Sequence, residues 1–127
     1  MLDVGTGTGR SALLLARGGA KVTGVDPSER RLEIARQRAV KEGIAVTFVR
    51  RDVRSLGFPD RAFEVVVCLR VLTYMPDWRE CVLELCRVSD QMVIVDYIPR
   101  RSLSSLRALG RSMLRGLGAS RDRKSTR

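Results

Sequence analysis

The 127-residue chain contains no histidine, and its three cysteines, Cys68, Cys81 and Cys86, form no CxxC pair. The usual nitrogen ligand of zinc and the paired thiolates are both missing, which argues against a metal site. An odd, scattered set of thiols also provides no disulfide framework. Each reads as a small apolar filler in a reducing compartment. No apolar run approaches the roughly 20 residues that a membrane span requires. No signal peptide is recognisable either, since the chain opens directly on a strand-like segment, and the expected location is cytoplasmic. Internal repeats and low-complexity linkers are lacking too. What remains is 44% apolar and 30% charged, a balance that suits one globular domain with a real core.

The net charge of +10 is unevenly placed. Residues 100–127 hold nine Lys/Arg against one acid, a net of +8, whereas residues 1–99 hold fifteen against thirteen. The basicity belongs to the C-terminal segment and not to the body, so charge alone does not make the domain a nucleic-acid binder.

Five strand-like runs are expected at Met1–Val4, Lys21–Val25, Ala45–Val49, Phe63–Cys68 and Gln91–Ile98. They are apolar or β-branched without a clean period of two, as in parallel strands buried on both faces. Helical stretches lie between them. One covers Arg10–Arg17 and stops at Gly18 and Gly19. A second covers Ser28–Lys41, with Ser28 as N-cap, a stop near Gly43, and Leu32, Ala35 and Ala39 on one face. A third opens on DWRE, Asp77 to Glu80, as a capping box and runs to about Arg87. This alternation predicts an α/β doubly wound sheet. After Pro99, Leu103, Leu106, Met113 and Leu117 share one helical face, and Arg107, Arg111 and Arg115 share another. A basic amphipathic helix and a disordered tail are expected over 100–127.

The chemistry concentrates in LDVGTGTGR at residues 2–10. Gly5, Gly7 and Gly9 permit positive φ and clear side chains from the main chain, and the loop runs into a helix N-terminus that favours a negative group. The dinucleotide fingerprint GxGxxG needs a small residue where Arg10 stands, and the phosphate loop GxxxxGK[ST] has no lysine here. Asp26 ends the second strand, in VTGVDPSE. There a carboxylate can accept from both hydroxyls of a ribose, or serve as a turn residue before Pro27 and Ser28. Asp52, in FVRRDVRSL, follows the third strand, where it can reach the amino edge of an adenine with Val53 covering the ring.

LDVGTGTG, VTGVDPSE, the stretch RRDVRSLGFPDRAFEVVVCLRVLTYMPD and the strand VIVDYI, in this order and spacing over residues 1–99, together resemble a class I S-adenosylmethionine-dependent methyltransferase. The nearest flavour is the small-molecule "type 11" group. The resemblance implies a Rossmann-like, mostly parallel sheet of order 3-2-1-4-5, with S-adenosylmethionine as cofactor. It implies that Gly5, Thr6, Gly7 and Gly9 form the loop around the methionine part and ribose, with Asp3 orienting the ammonium. Asp26, beside Pro27, would hold the ribose. Asp52 and Val53 would hold the adenine, and Cys68 and Leu69 would pass beside the methyl. The acids suit the cofactor's cationic groups, and its carboxylate can use the helix N-terminus.

Methyl transfer from a sulfonium depends largely on alignment and exclusion of water, so a chain without histidine can perform it. Arg70 and Tyr74, after the fourth strand, are the candidates for contact with the acceptor. The alternatives are a surface arginine and a packed aromatic. An Asn/Asp-Pro-Pro-aromatic stretch and a Pro-Cys pair, marks of base-methylating enzymes, are absent from CLRVLTYMP. A small-molecule or lipid-like acceptor is therefore the expectation. The usual helical N-terminal cover and the sixth and seventh strands have no counterpart in the sequence. A truncated chain is the consequent expectation, with an exposed fifth-strand edge open to self-association. Two alternatives stay open: a non-catalytic cofactor-binding module, and an RNA methyltransferase using the basic segment. An NAD-dependent oxidoreductase is disfavoured by Arg10 and the missing histidine.

Overall fold

The computed structural model describes residues 1–96. The basic helix and tail expected over 100–127 lie outside the described residues, as do the last two residues of the expected fifth strand. Within them the elements run β1 (Leu2–Val4), α1 (Arg10–Arg17), β2 (Thr23–Asp26), α2 (Glu29–Glu42), β3 (Thr47–Arg50), β4 (Phe63–Cys68), α3 (Trp78–Val88) and β5 (Ser89–Val95), with a 3-10 turn at Leu72–Tyr74 before α3.

The strands form one parallel sheet of order β3-β2-β1-β4-β5, the expected doubly wound order, and among the described residues no sixth or seventh strand joins it. Three-residue β1 is central because Leu2, Asp3 and Val4 pair on one side with Thr23, Gly24 and Val25, and on the other with Val66, Val67 and Cys68. Such a strand is buried on both faces, which explains why its sequence shows no alternation. Two cores follow from the pleat. On one face Leu2, Val4, Val25, Val66 and Cys68 pack with Leu72, Cys81, Leu85 and Val88 from the α3 side. On the other face Ala12 and Leu13 of α1 meet Leu32, Ala35 and Ala39 of α2, with Phe48 of β3.

The helix ends obey the local signals in three cases and depart from them in one. The Ser28 Oγ accepts from the Arg31 N–H at 3.3 Å, and Gly43 closes α2 in the left-handed conformation at φ 65°. Gly18 caps α1. The expected capping box at Asp77 does not form, because its side chain makes no bond to the helix. Instead the carboxylate takes the Arg54 guanidinium, with Nε to Oδ2 at 2.6 Å and Nη2 to Oδ1 at 3.2 Å. A charged two-pronged donor outcompetes a single backbone N–H.

Candidate functional site

The order of the sheet reverses direction at β1, between β2 and β4, and the chain leaves the carboxyl ends of these strands in divergent loops. Such a crevice is where open α/β sheets bind ligands. A cleft of about 580 Å³ lies there, lined by the loop after β1, by Asp26 and Pro27 after β2, by residues 51–54 after β3, and by Leu69, Arg70 and Val71 after β4. Its volume falls within the roughly 300–1,000 Å³ of small-molecule sites.

The glycine loop is pinned to β2. The Gly5 and Thr6 N–H groups both donate to the Val25 carbonyl at 2.9 Å, and Gly7 donates to Asp26 Oδ2 at 3.0 Å. From α2, Arg38 reaches the Thr8 hydroxyl and carbonyl. All three loop glycines have positive φ, at 75°, 57° and 85°. Their surroundings differ. A Cβ on Gly5 would lie 2.2 Å from Val71 Cγ2, and one on Gly9 2.9 Å from Ala35 Cβ, while one on Gly7 would meet nothing within 4 Å. Gly5 therefore packs under the loop after β4, and Gly9 packs α1 against α2. Only Gly7 faces open space. Close helix packing, which a glycine at the position of Arg10 would supply in the dinucleotide fingerprint, comes here from Gly9.

Three acids line the cleft. Asp3 and Asp26 are each 3% exposed. Asp26 uses both oxygens, since Oδ1 accepts from the Ser28 N–H at 2.9 Å, so the turn role coexists with a position in the cleft lining. Asp3 is the opposite case: its Oδ2 is buried without a hydrogen bond, as is the nearby Thr6 Oγ1. Burial pushes the Asp3 carboxyl above its ordinary range. Asp52 is exposed, and its Oδ1 accepts from the Arg54 N–H at 2.8 Å, whereas its neighbour Val53 is buried.

After β4 the expected residues separate. Leu69 lines the cleft, but Cys68 is fully buried in the core beneath it, its thiol pushed up to about 12 by desolvation above all. It is a neutral packing group. Tyr74 is 69% exposed and borders the cleft. Arg70 is exposed, lines the cleft and adopts φ 60°.

Sequence reasoning missed the supports of the loop. Gly24 is one: a Cβ there would meet Thr6 Oγ1 and Phe48 at 2.9 Å. A lone glycine inside the strand KVTGV carried that signal. Nothing local marked Arg38 or Val71.

A parallel sheet of this order, with a glycine loop after β1 and an acid at the end of β2, defines a class I Rossmann-like fold. The family model described as "Methyltransferase domain" matches residues 1–91. The chain belongs to the S-adenosylmethionine-dependent methyltransferases, and S-adenosylmethionine is the cofactor of that family. Over 79 residues it is 40% identical to the ubiquinone biosynthesis O-methyltransferase of Photorhabdus laumondii, covering 61% of this chain and 32% of that one. It is 36% identical over 104 residues to the demethylmenaquinone methyltransferase of Thermus thermophilus, covering 78% and 47%. Among solved structures, magnesium protoporphyrin IX methyltransferase from Synechocystis PCC 6803 with bound SAH superimposes with a TM-score of 0.72 at 30% identity, over 86% of this chain and 51% of that one. The chain thus spans 32% and 47% of the length of these two curated relatives.

Proposed function

We propose that this chain is the cofactor-binding core of an enzyme that transfers a methyl group from S-adenosylmethionine to a small-molecule acceptor. One observation carries the reading: the buried Asp3 carboxylate has an oxygen without a partner, beside a loop whose middle glycine is open. A desolvated anion left unpaired is costly, and a cationic ligand group would relieve the cost.

In this reading Asp3 takes the cofactor's ammonium, and Gly5, Thr6, Gly7 and Gly9 hold the chain in the shape that admits its methionine part. Asp26 keeps acceptor capacity beyond its two backbone bonds, because a carboxylate offers about four lone-pair sites; the ribose hydroxyls would use it, with Pro27 beside them. Asp52 and Val53 flank the adenine, and Leu69 the reacting end. Cys68 supports that wall from beneath. Bound there, S-adenosylmethionine supplies an electrophilic methyl group on its sulfonium. The chain's own task is to align the acceptor and keep water out. Tyr74, exposed at the rim, would accept a hydrogen bond from an acceptor hydroxyl, and nothing in the reaction requires an imidazole.

The relatives named above support a small-molecule acceptor, since their names refer to ubiquinone, menaquinone and a porphyrin. Residues 1–99 form the core in this reading, and 100–127 a separate basic segment. No helix among the described residues is long and apolar enough to cross a membrane. β5 forms one edge of the described sheet, with Met92, Ile94 and Val95 half-exposed, and that edge would accept a strand from another copy.

Calorimetric titration with S-adenosylmethionine, S-adenosylhomocysteine and NAD tests the reading. Saturable binding of the first two and none of NAD is expected, followed by transfer of labelled methyl into an acceptor panel. Binding without transfer to any acceptor would favour the non-catalytic module. No binding by folded protein would sink the cofactor assignment.

A further inference from the structure

Charges around the cleft are sorted by depth, apart from Asp52, an exposed acid that pairs with Arg54. Asp3 and Asp26 are buried, whereas the lining arginines Arg10, Arg31, Arg51, Arg54 and Arg70 are all exposed. Arg54 is committed to Asp77. Among the described residues the other four make no ion pair. The cofactor's sulfonium and ammonium gain nothing from this cationic rim, and its one carboxylate would engage only part of it. The rim calls for a different ligand, of opposite charge.

Arg70 differs from the other three. It is a non-glycine residue at φ 60°, in the left-handed region that bulky side chains avoid. Its N–H donates to Asp96 Oδ1 at 2.7 Å, so a residue just beyond β5 holds the end of β4 in this shape. Strain of this kind persists where surrounding structure enforces it, and it clusters at ligand sites. Arg61 shares this backbone at φ 58° outside the cleft, so what sets Arg70 apart is the strained backbone together with its place in the cleft lining. Glycine or asparagine would sit there at less cost.

We propose that Arg70 recognises an anionic oxyacid group, a carboxylate or phosphate monoester, on the methyl acceptor, with Asp96 as its positioning residue and the remaining rim arginines supplying the attracting field. This rests on the cofactor reading above and names the acceptor class for that same site. The guanidinium fork matches both oxyacids with two parallel hydrogen bonds. A neutral ester or amide of the same acceptor forfeits them.

The test uses the full chain saturated with S-adenosylhomocysteine, with benzoate, phenyl phosphate and neutral methyl benzoate as probes in ligand-observed NMR. Benzoate or phenyl phosphate is expected to bind at least tenfold more tightly than methyl benzoate, less so at high salt. Whichever anion binds more tightly identifies the oxyacid. Arg70→Asn, chosen because asparagine tolerates left-handed backbone, should remove that preference and leave S-adenosylhomocysteine affinity within about twofold. Arg30→Gln removes the same charge from a residue outside the cleft and should change neither. Asp96→Ala raises the net charge, yet should weaken the anion by loosening Arg70; a stronger anion there overturns the positioning role. Equal binding of methyl benzoate, or an undiminished preference in Arg70→Asn, overturns the proposal while the cofactor reading stands. Failure of S-adenosylhomocysteine to bind would sink both.

Discussion

Asp26 Oδ2 accepts the Gly7 N–H at 3.0 Å, which ties the one loop glycine that faces open space to the end of β2. The same carboxylate holds the first turn of α2 through Ser28. One side chain thus shapes the loop and lines the cleft, so in the proposed reading stability and ligand binding are coupled at this position.

Asp26→Asn should therefore damage both. The amide nitrogen cannot accept from a backbone N–H, so one of two buried charge-assisted bonds is lost and a donor faces a donor. A loss of about 1–3 kcal/mol is expected, read as a lower Tm, together with at least tenfold weaker S-adenosylhomocysteine binding by calorimetry. Unchanged binding in a destabilised protein would reduce Asp26 to a turn residue.

Alanine at the three loop glycines should give three different outcomes. Each incurs about 1–2 kcal/mol for a left-handed backbone. Gly5→Ala adds the collision with Val71, and Gly9→Ala adds collisions with Ala35 and Phe48, so both should unfold at clearly lower temperature than Gly7→Ala. Gly7→Ala should lose ligand affinity out of proportion to its small loss of Tm. Equal effects across the series would contradict the division of labour.

Asp3→Asn should trade function for stability. Burial raises the folded carboxyl above its value of 3.8, so the folded state holds this proton to higher pH than the unfolded state does. The wild-type protein then loses stability as pH rises through that window, and the loss is complete above the raised folded value. The Tm advantage of Asp3→Asn in ligand-free protein should be positive at neutral pH and shrink towards zero below about pH 4. S-adenosylmethionine binding to wild type should weaken as Asp3 becomes protonated on acidification, and binding to the variant should be weak throughout.

Thiol reactivity offers an independent check on the wall beneath Leu69. Cys86 is exposed, while Cys68 and Cys81 are buried with thiols raised by desolvation. Alkylation of native protein at pH 8 should label Cys86 alone, and mass spectrometry of peptides would show it. Rapid labelling of Cys68 would mean that the β4 end is open to solvent.

Much of the sheet could be read without coordinates. β4 has the expected bounds, and α1 runs from Arg10 to Arg17 as its apolar pattern and glycine stop indicate. β2 and β3 begin two residues late, at Thr23 and Thr47. Parallel pairing starts only where a neighbour is present, as in Leu2 with Thr23 and Thr23 with Thr47. The capping box failed for a related reason: its competitor, Arg54, lies 23 residues away.

The sequence by itself determined the alternation of strands and helices, the position of the glycine loop after β1 and the acid at the end of β2, because each depends on period, propensity and turn chemistry within a few residues. Tertiary structure alone decided which loop glycine faces open space, which carboxylate oxygen is left unpaired, and that Arg70 is held in left-handed backbone at the rim. Those outcomes depend on what a Cβ, a carboxylate oxygen or an N–H meets in space. For these residues the answers are Val71, Ala35, Asp26 and Asp96, supplied by distant parts of the chain.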